Sequence, residues 1–107
     1  MAHVGGIDRA VYAATKHALE GMTKRKAIES GPHAIRVNTI APPFIRTPLS
    51  EQTFDNPERA AWGLPKIKPG RIGEVTGIMG AVAFFASDAA RLVTRTSRLI
   101  DGGWAAD

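Results

Sequence analysis

Along the first third of the chain, apolar residues return at intervals of three and four. Val11, Ala14, Ala18, Leu19 and Met22 follow this spacing, which predicts a helix from residue 9 to about residue 30. Asp8 can cap its start, because a carboxylate accepts bonds from the free amides of a first turn. The sequence Ser-Gly-Pro-His at 30–33 ends it: glycine tolerates the left-handed conformation and proline cannot continue a helix. Residues 34–41, AIRVNTIA, change character. Ile35, Val37 and Ile40 are β-branched, and little strict alternation separates apolar from polar positions, which suits a strand covered on both faces. Pro42 and Pro43 stop that strand, since neither has an amide to extend a ladder.

Residues 49 to about 73 hold no firm period and contain Pro57, Pro65, Pro69 and Gly70. The expectation is a long, mobile loop with one short helix near 57–62, and such a loop inside a compact domain is usually a lid or binding segment. A second helix is expected from 76 to about 90, with Thr76 as its cap and Ile78, Met79, Val82, Phe85 and Ala86 as its apolar face. TSRLIDGG at 96–103 reads as a short strand ending in glycines. The order helix, strand, loop, helix, strand is half of a repeating β-α scheme. It predicts an α/β fold with a parallel sheet and covering helices. Two strands alone make a poor sheet, because both edges lie open and one face has little to rest on.

Composition narrows the setting. The chain has 107 residues, enough for one small domain, and is 44% apolar and 22% charged, which is ordinary globular usage. Without cysteine there is no disulfide framework and no thiolate metal site, in keeping with a reducing cytoplasm. His3, His17 and His33 share no consistent ligand spacing, so no metal is expected. The longest apolar run, GAVAFFA at 80–86, is far too short to span a bilayer, and MAHVGGIDR does not read as a secretory signal. The net charge is +4, from 14 basic and 10 acidic residues. Only Lys24–Arg25–Lys26 cluster. The other cations are scattered and aromatics are few, which argues against a nucleic-acid footprint and for a solvated helix end.

Tyr12, the only tyrosine, stands four residues before Lys16. Positions i and i+4 lie one above the other on a helix face, so the phenol and the ammonium can share the same space. A phenol ordinarily titrates near pH 10, and a nearby cation favours its ionised form. Such a pair can protonate an oxygen as hydride reaches a carbonyl carbon, or do the reverse for an alcohol. Taken alone, the spacing equally describes a core tyrosine on an ordinary helix.

The neighbours are more specific. YAATKHALEGMTK, then IRVNTIAPPFIRTP, then GRIGEV, GAVAFFASDAA, VT and IDGG follow in this order. Together they resemble the C-terminal half of the short-chain dehydrogenase/reductase family, from about residue 11 to residue 103. The resemblance implies the C-terminal portion of a Rossmann-type, doubly wound parallel sheet, one domain fragment over residues 1–107 with a substrate loop at 49–73. It implies an NAD(P)-dependent oxidoreductase that interconverts a carbonyl and a secondary alcohol. Tyr12 would be the acid/base, and Lys16 would assist it and hydrogen-bond the nicotinamide ribose. Pro42 to Thr47 would lie along the nicotinamide end of NAD or NADP, with Pro42 and Pro43 in the cofactor bed. There Ile45 would offer its backbone to the carboxamide and Thr47 would reach the diphosphate. The helix at 76–90 and the strand at 96–103 would contribute to the interface of a dimer or tetramer, and the partners would be small molecules rather than nucleic acid or membrane.

By the same resemblance, several features are missing or altered. No glycine-rich turn follows a first strand, no serine precedes Tyr12, and the family's asparagine on the preceding helix has no counterpart. The expectation is a chain truncated just after that serine: a piece of a longer enzyme, or a non-catalytic remnant acting, if at all, in oligomerisation or interaction. Pro43 stands where the family reads glycine, Arg95 where a turn wants glycine, and Lys26 and Arg98 at usually apolar positions. Phe44, Trp62 and Trp104 are expected in packing, Asp101 in a strand-end turn, and Asn38 as a hydrogen-bonded structural amide.

Overall fold

The computed structural model describes residues 9–106, and the chain divides into two compact units. The described part of the first unit takes in residues 9–41 and 81–99, and that of the second takes in 42–80 and 100–106. The Asp8 cap lies outside the described residues.

In the first unit, helix α1 runs from Ala10 to Ser30. The helix forms where its period predicts, but turned about its axis. Ala13, Lys16, Glu20, Thr23, Ala27 and Ser30 form the covered stripe, with Thr23 and Ala27 buried and the others half-buried. The expected apolar set faces outward: Val11 is 80% exposed, and Leu19, Met22, Ala14 and Ala18 are exposed too. Within that covered stripe Glu20 is the residue bonded to the strands. The Glu20 carboxylate accepts from Thr39 Oγ1 at 2.7 Å and from Ser97 Oγ at 3.1 Å.

Those two residues face each other in the sheet. Strands β1 (Thr39–Ala41) and β2 (Ser97–Leu99) pair in parallel, with Thr39 opposite Ser97, Ile40 opposite Arg98 and Ala41 opposite Leu99. Glu20 therefore ties one helix to both strands at the first register pair. The expected strand at 34–41 is shorter than its apolar run because its first half bonds to a turn instead. Val37 N–H donates to Thr94 Oγ1, and Val37 O accepts from Arg95 N–H. Asn38 uses both ends of its amide, donating to Val93 O at 2.8 Å and accepting from Thr96 N–H at 3.1 Å, as a structural amide should. Arg95 adopts φ 62°, the left-handed turn position at which a non-glycine residue is strained. Lys26 and Arg98 are exposed, so neither charge is buried.

The end of α1 departs from expectation. Gly31 keeps a right-handed φ of −52° and opens a 3₁₀ turn, Gly31–His33, and the left-handed residue is Ala34 at φ 57°. Pro32 sits in the first turn of that 3₁₀ segment, where a missing amide costs nothing, so the chain turns three residues later than glycine would suggest.

In the second unit, 49–73 is largely helical rather than a long loop. Helix α2 spans Pro48–Phe54 and α3 spans Pro57–Gly63, followed by a 3₁₀ turn at Leu64–Lys66. The short helix expected near 57–62 is α3. Both helices start with a capping side chain followed by proline at the first helical position: Thr47 before Pro48, and Asn56 before Pro57. The prolines that read as loop markers are helix starters here.

An aromatic cluster fills this unit. Phe44 meets Phe54 edge-on at 4.9 Å between centroids and Trp104 at 5.3 Å, and Trp104 meets Trp62 at 5.5 Å. The Lys66 ammonium lies 4.5 Å from the Trp62 ring centroid and 5.5 Å from that of Trp104. Ile67 is buried in the same unit. Asp101 closes the last turn, accepting from Gly103 N–H and Ala105 N–H, which makes it the expected turn residue.

Helix α4 covers Thr76–Ala86, with Thr76 as its first residue rather than its cap. It ends four residues earlier than expected, where Ser87 Oγ bonds back to Phe84 O and a 3₁₀ turn, Asp88–Ala90, follows. Ile78, Ala81 and Phe85 are half-buried, while Met79, Val82 and Ala86 are exposed.

Candidate active site

Tyr12 and Lys16 lie on one face of α1, a helical turn apart. The Lys16 ammonium sits 5.3 Å from the centroid of the Tyr12 ring. Among the described residues the Tyr12 hydroxyl has no hydrogen-bond partner, and the side chain is 41% exposed. Lys16 is half-buried. The ammonium and the ring thus make a cation–π contact. Below them, Thr15 Oγ1 donates to Tyr12 O at 2.8 Å, and His17 Nδ1 contacts Ala13 O at 2.8 Å, so their neighbours spend their polar atoms on the helix backbone.

A second cation was not foreseen. Arg9 Cζ lies 5.7 Å from the same Tyr12 centroid. Its place three residues before Tyr12 is the other near-neighbour spacing of a helix, and that spacing is the signal that would have found it.

Pro42, Pro43, Ile45 and Thr47 belong to the second unit. Pro42 is exposed and Pro43 half-buried. Next to them, Phe44–Arg46 runs beside Gly73 as a one-residue parallel bridge. Gly73 N–H donates to Phe44 O at 3.1 Å, and Arg46 N–H donates to Gly73 O at 2.8 Å. A Cβ at Gly73 would come within 2.7 Å of Ile45 Cδ1, so the strands approach closely there. Extended residues alternate the edge their backbone groups face, so Ile45 N–H and C=O point away from Gly73. Its carbonyl accepts from Ser50 Oγ at 2.6 Å, and among the described residues its amide has no partner.

Thr47 is the N-cap of α2. Its Oγ1 accepts from Ser50 N–H at 3.2 Å, while Thr47 N–H donates to Ser50 Oγ at 2.8 Å, a reciprocal capping box. Ser50 thereby joins Ile45 to Thr47, a link sequence reading missed; Thr-Pro-x-Ser was its signal. Arg46 also pairs with Glu74 at 3.0 Å, at the surface. The expected site residues thus form two groups, Tyr12 with Lys16 in the first unit and Ile45 with Thr47 in the second.

Phe44, Trp62 and Trp104 pack on one another, as expected. Among the described residues no cluster of histidine, aspartate and glutamate could hold a metal ion, and no helix is long and apolar enough to cross a membrane.

A helix bearing a tyrosine–lysine pair, together with a pair of parallel strands, forms a portion of an α/β fold. A family model described as enoyl-(acyl carrier protein) reductase matches residues 1–105. The chain belongs to the short-chain dehydrogenase/reductase family. It is 36% identical over 102 residues to L-xylulose reductase of Bos taurus, covering 95% of this chain and 42% of the relative. It is 41% identical over 115 residues to levodione reductase of Leifsonia aquatica, covering 98% of this chain and 43% of the relative. Among solved structures, 4-hydroxyisoleucine dehydrogenase complexed with NADH superposes with a TM-score of 0.86 at 40% identity, over 92% of this chain and 40% of that one. An Agrobacterium tumefaciens protein with bound NADP, assigned provisionally as a 2-deoxy-D-gluconate 3-dehydrogenase, gives 0.92 at 38% identity, over 97% of this chain and 42% of that one. The chain therefore spans about two fifths of the length of the relatives it matches, as a portion of the Rossmann-type sheet.

Proposed function

We propose that this chain carries the proton-transfer residues of an NAD(P)-dependent oxidoreductase that interconverts a carbonyl and a secondary alcohol. The observation that carries the reading is the Lys16 ammonium 5.3 Å from the Tyr12 ring, on a tyrosine whose hydroxyl has no partner among the described residues. In the reducing direction Tyr12 donates its hydroxyl proton to the substrate oxygen, and in the oxidising direction its oxygen takes the alcohol proton. Lys16, with Arg9 on the same ring, stabilises the negative charge left on Tyr12 once the proton has gone. Lys16 also has free N–H donors for a ribose hydroxyl.

NAD or NADP would supply or accept the hydride. The second unit fits such a group at Ile45, whose amide, without a partner among the described residues, lies on one edge beside its carbonyl, which Ser50 holds. A carboxamide carries one acceptor and two donors that match that edge. Pro42 and Pro43 stiffen the approach to it. Thr47 hydroxyl is shared with Ser50, so its contact with a diphosphate would compete with the cap. The test is Tyr12→Phe in the protein as its cell makes it, with reduction assayed by NAD(P)H absorbance. Loss of turnover with unchanged thermal stability is expected, and retained turnover would remove Tyr12 from the mechanism.

The exposed apolar residues Val11, Leu19 and Met22 favour a second reading, association with a copy of this chain or with another chain of the family, with or without catalysis. Size-exclusion chromatography with light scattering tests it, and a folded monomer counts against it. The absence of cysteine agrees with a cytoplasmic setting.

A further inference from the structure

We infer that Ser50 is a positioning residue that sets the Ile45 backbone for a nicotinamide carboxamide, an inference that rests on the cofactor reading above. Phe44 O and Arg46 N–H are both bound to Gly73, which fixes one edge of the segment. The opposite edge carries Ile45 N–H and C=O, and Ser50 Oγ is the group that meets it. This one hydroxyl donates to Ile45 O at 2.6 Å and accepts from Thr47 N–H at 2.8 Å. It also lies 3.1 Å from Thr47 O and 3.3 Å from Thr47 Oγ1. Residues 45 and 47 are thus cross-linked through a side chain anchored in α2, and the Ile45 carbonyl is held at a fixed angle with a second lone pair free. Ser50 need not touch the carboxamide; it acts by holding the backbone that does.

A residue that only capped α2 would look similar in the structure and differ in its consequences. Losing a cap frays the helix and weakens every ligand contact in the unit alike. Losing the Ile45 anchor weakens only the nicotinamide end. The experiment compares Ser50→Ala and Ser50→Thr with the unaltered full chain, each ¹⁵N-labelled and titrated with NADH and with ADP-ribose, which has the diphosphate but no nicotinamide. Binding is read from the Ile45 and Thr47 amide resonances, and α2 integrity from hydrogen exchange at Asp55, whose amide bonds to Glu51 O.

Ser50→Ala is expected to weaken NADH about tenfold, the scale of one lost hydrogen bond, and ADP-ribose less than about twofold. Ser50→Thr, which keeps the hydroxyl, should restore NADH binding, and Asp55 should stay protected in all three. Equal loss for both ligands, or no loss for either, overturns the role of Ser50 and leaves the cofactor reading standing. An unaltered chain that binds neither ligand overturns the cofactor reading, and this inference with it.

Discussion

Helix α1 and the turn at 44–50 would serve the proposed chemistry in opposite ways. On α1 the useful groups are side chains, and the helix supplies their geometry outright: Tyr12 and Lys16 meet because they are four residues apart. Tyr12 and the surrounding apolar residues Val11, Leu19 and Met22 stand in the open. In the turn the useful groups are backbone atoms, and they are gripped from both edges, by Gly73 on one side and Ser50 on the other. Side-chain chemistry can be written into one regular element. Backbone chemistry needs a network of partners distant in sequence to aim it.

The sharpest way to break this comparison is Tyr12→Phe. It should lower turnover about a thousandfold while leaving thermal stability within about 0.5 kcal/mol, because under the proposed mechanism it removes the proton donor, and from an exposed site. A large loss of stability would show that the ring holds the fold rather than the chemistry. Next comes Trp104→Ala. It removes two edge-on aromatic contacts and a cation contact from the cluster beneath the turn, and should destabilise by about 2–3 kcal/mol in urea titration. A smaller effect would mean that the backbone network alone holds the second unit.

Glu20→Ala probes the tie between α1 and both strands. It leaves the hydroxyls of Thr39 and Ser97 without their charged acceptor, and a loss of about 2 kcal/mol is expected by the same titration. The smallest effect has the opposite sign. Arg95→Gly relieves a left-handed backbone at φ 62° and should stabilise by about 1 kcal/mol, seen as a raised melting temperature. A neutral or negative result would show that the Arg95 side chain contributes more than its backbone strain removes.

Much of this was legible from residue spacing. The α1 period, the β-branched run that ends in β1 and the Asp101 turn follow from local rules, while the Arg95 strain follows from the family resemblance. The failures share a cause. The helix at 57–62 is expected, but α2 is not, because proline alone does not reveal whether a capping residue precedes it in helix-starting geometry. Thr47 and Asn56 do so here. The facing of α1 departs from its period because periodicity marks which residues are apolar, not which face the rest of the fold covers. The link from Ser50 to Ile45 spans five residues and two kinds of structure, beyond any single period.

What sequence alone determined is therefore the local inventory: the helix that sets Tyr12 one turn from Lys16, the family likeness, and the turn positions. Helical spacing is a property of the backbone, so it needs no tertiary partner. Which face of α1 is covered, where Ile45 points its amide and how Thr47 spends its hydroxyl were decided by the tertiary structure. These depend on hydrogen-bond partners and packed rings that only the folded chain brings within reach.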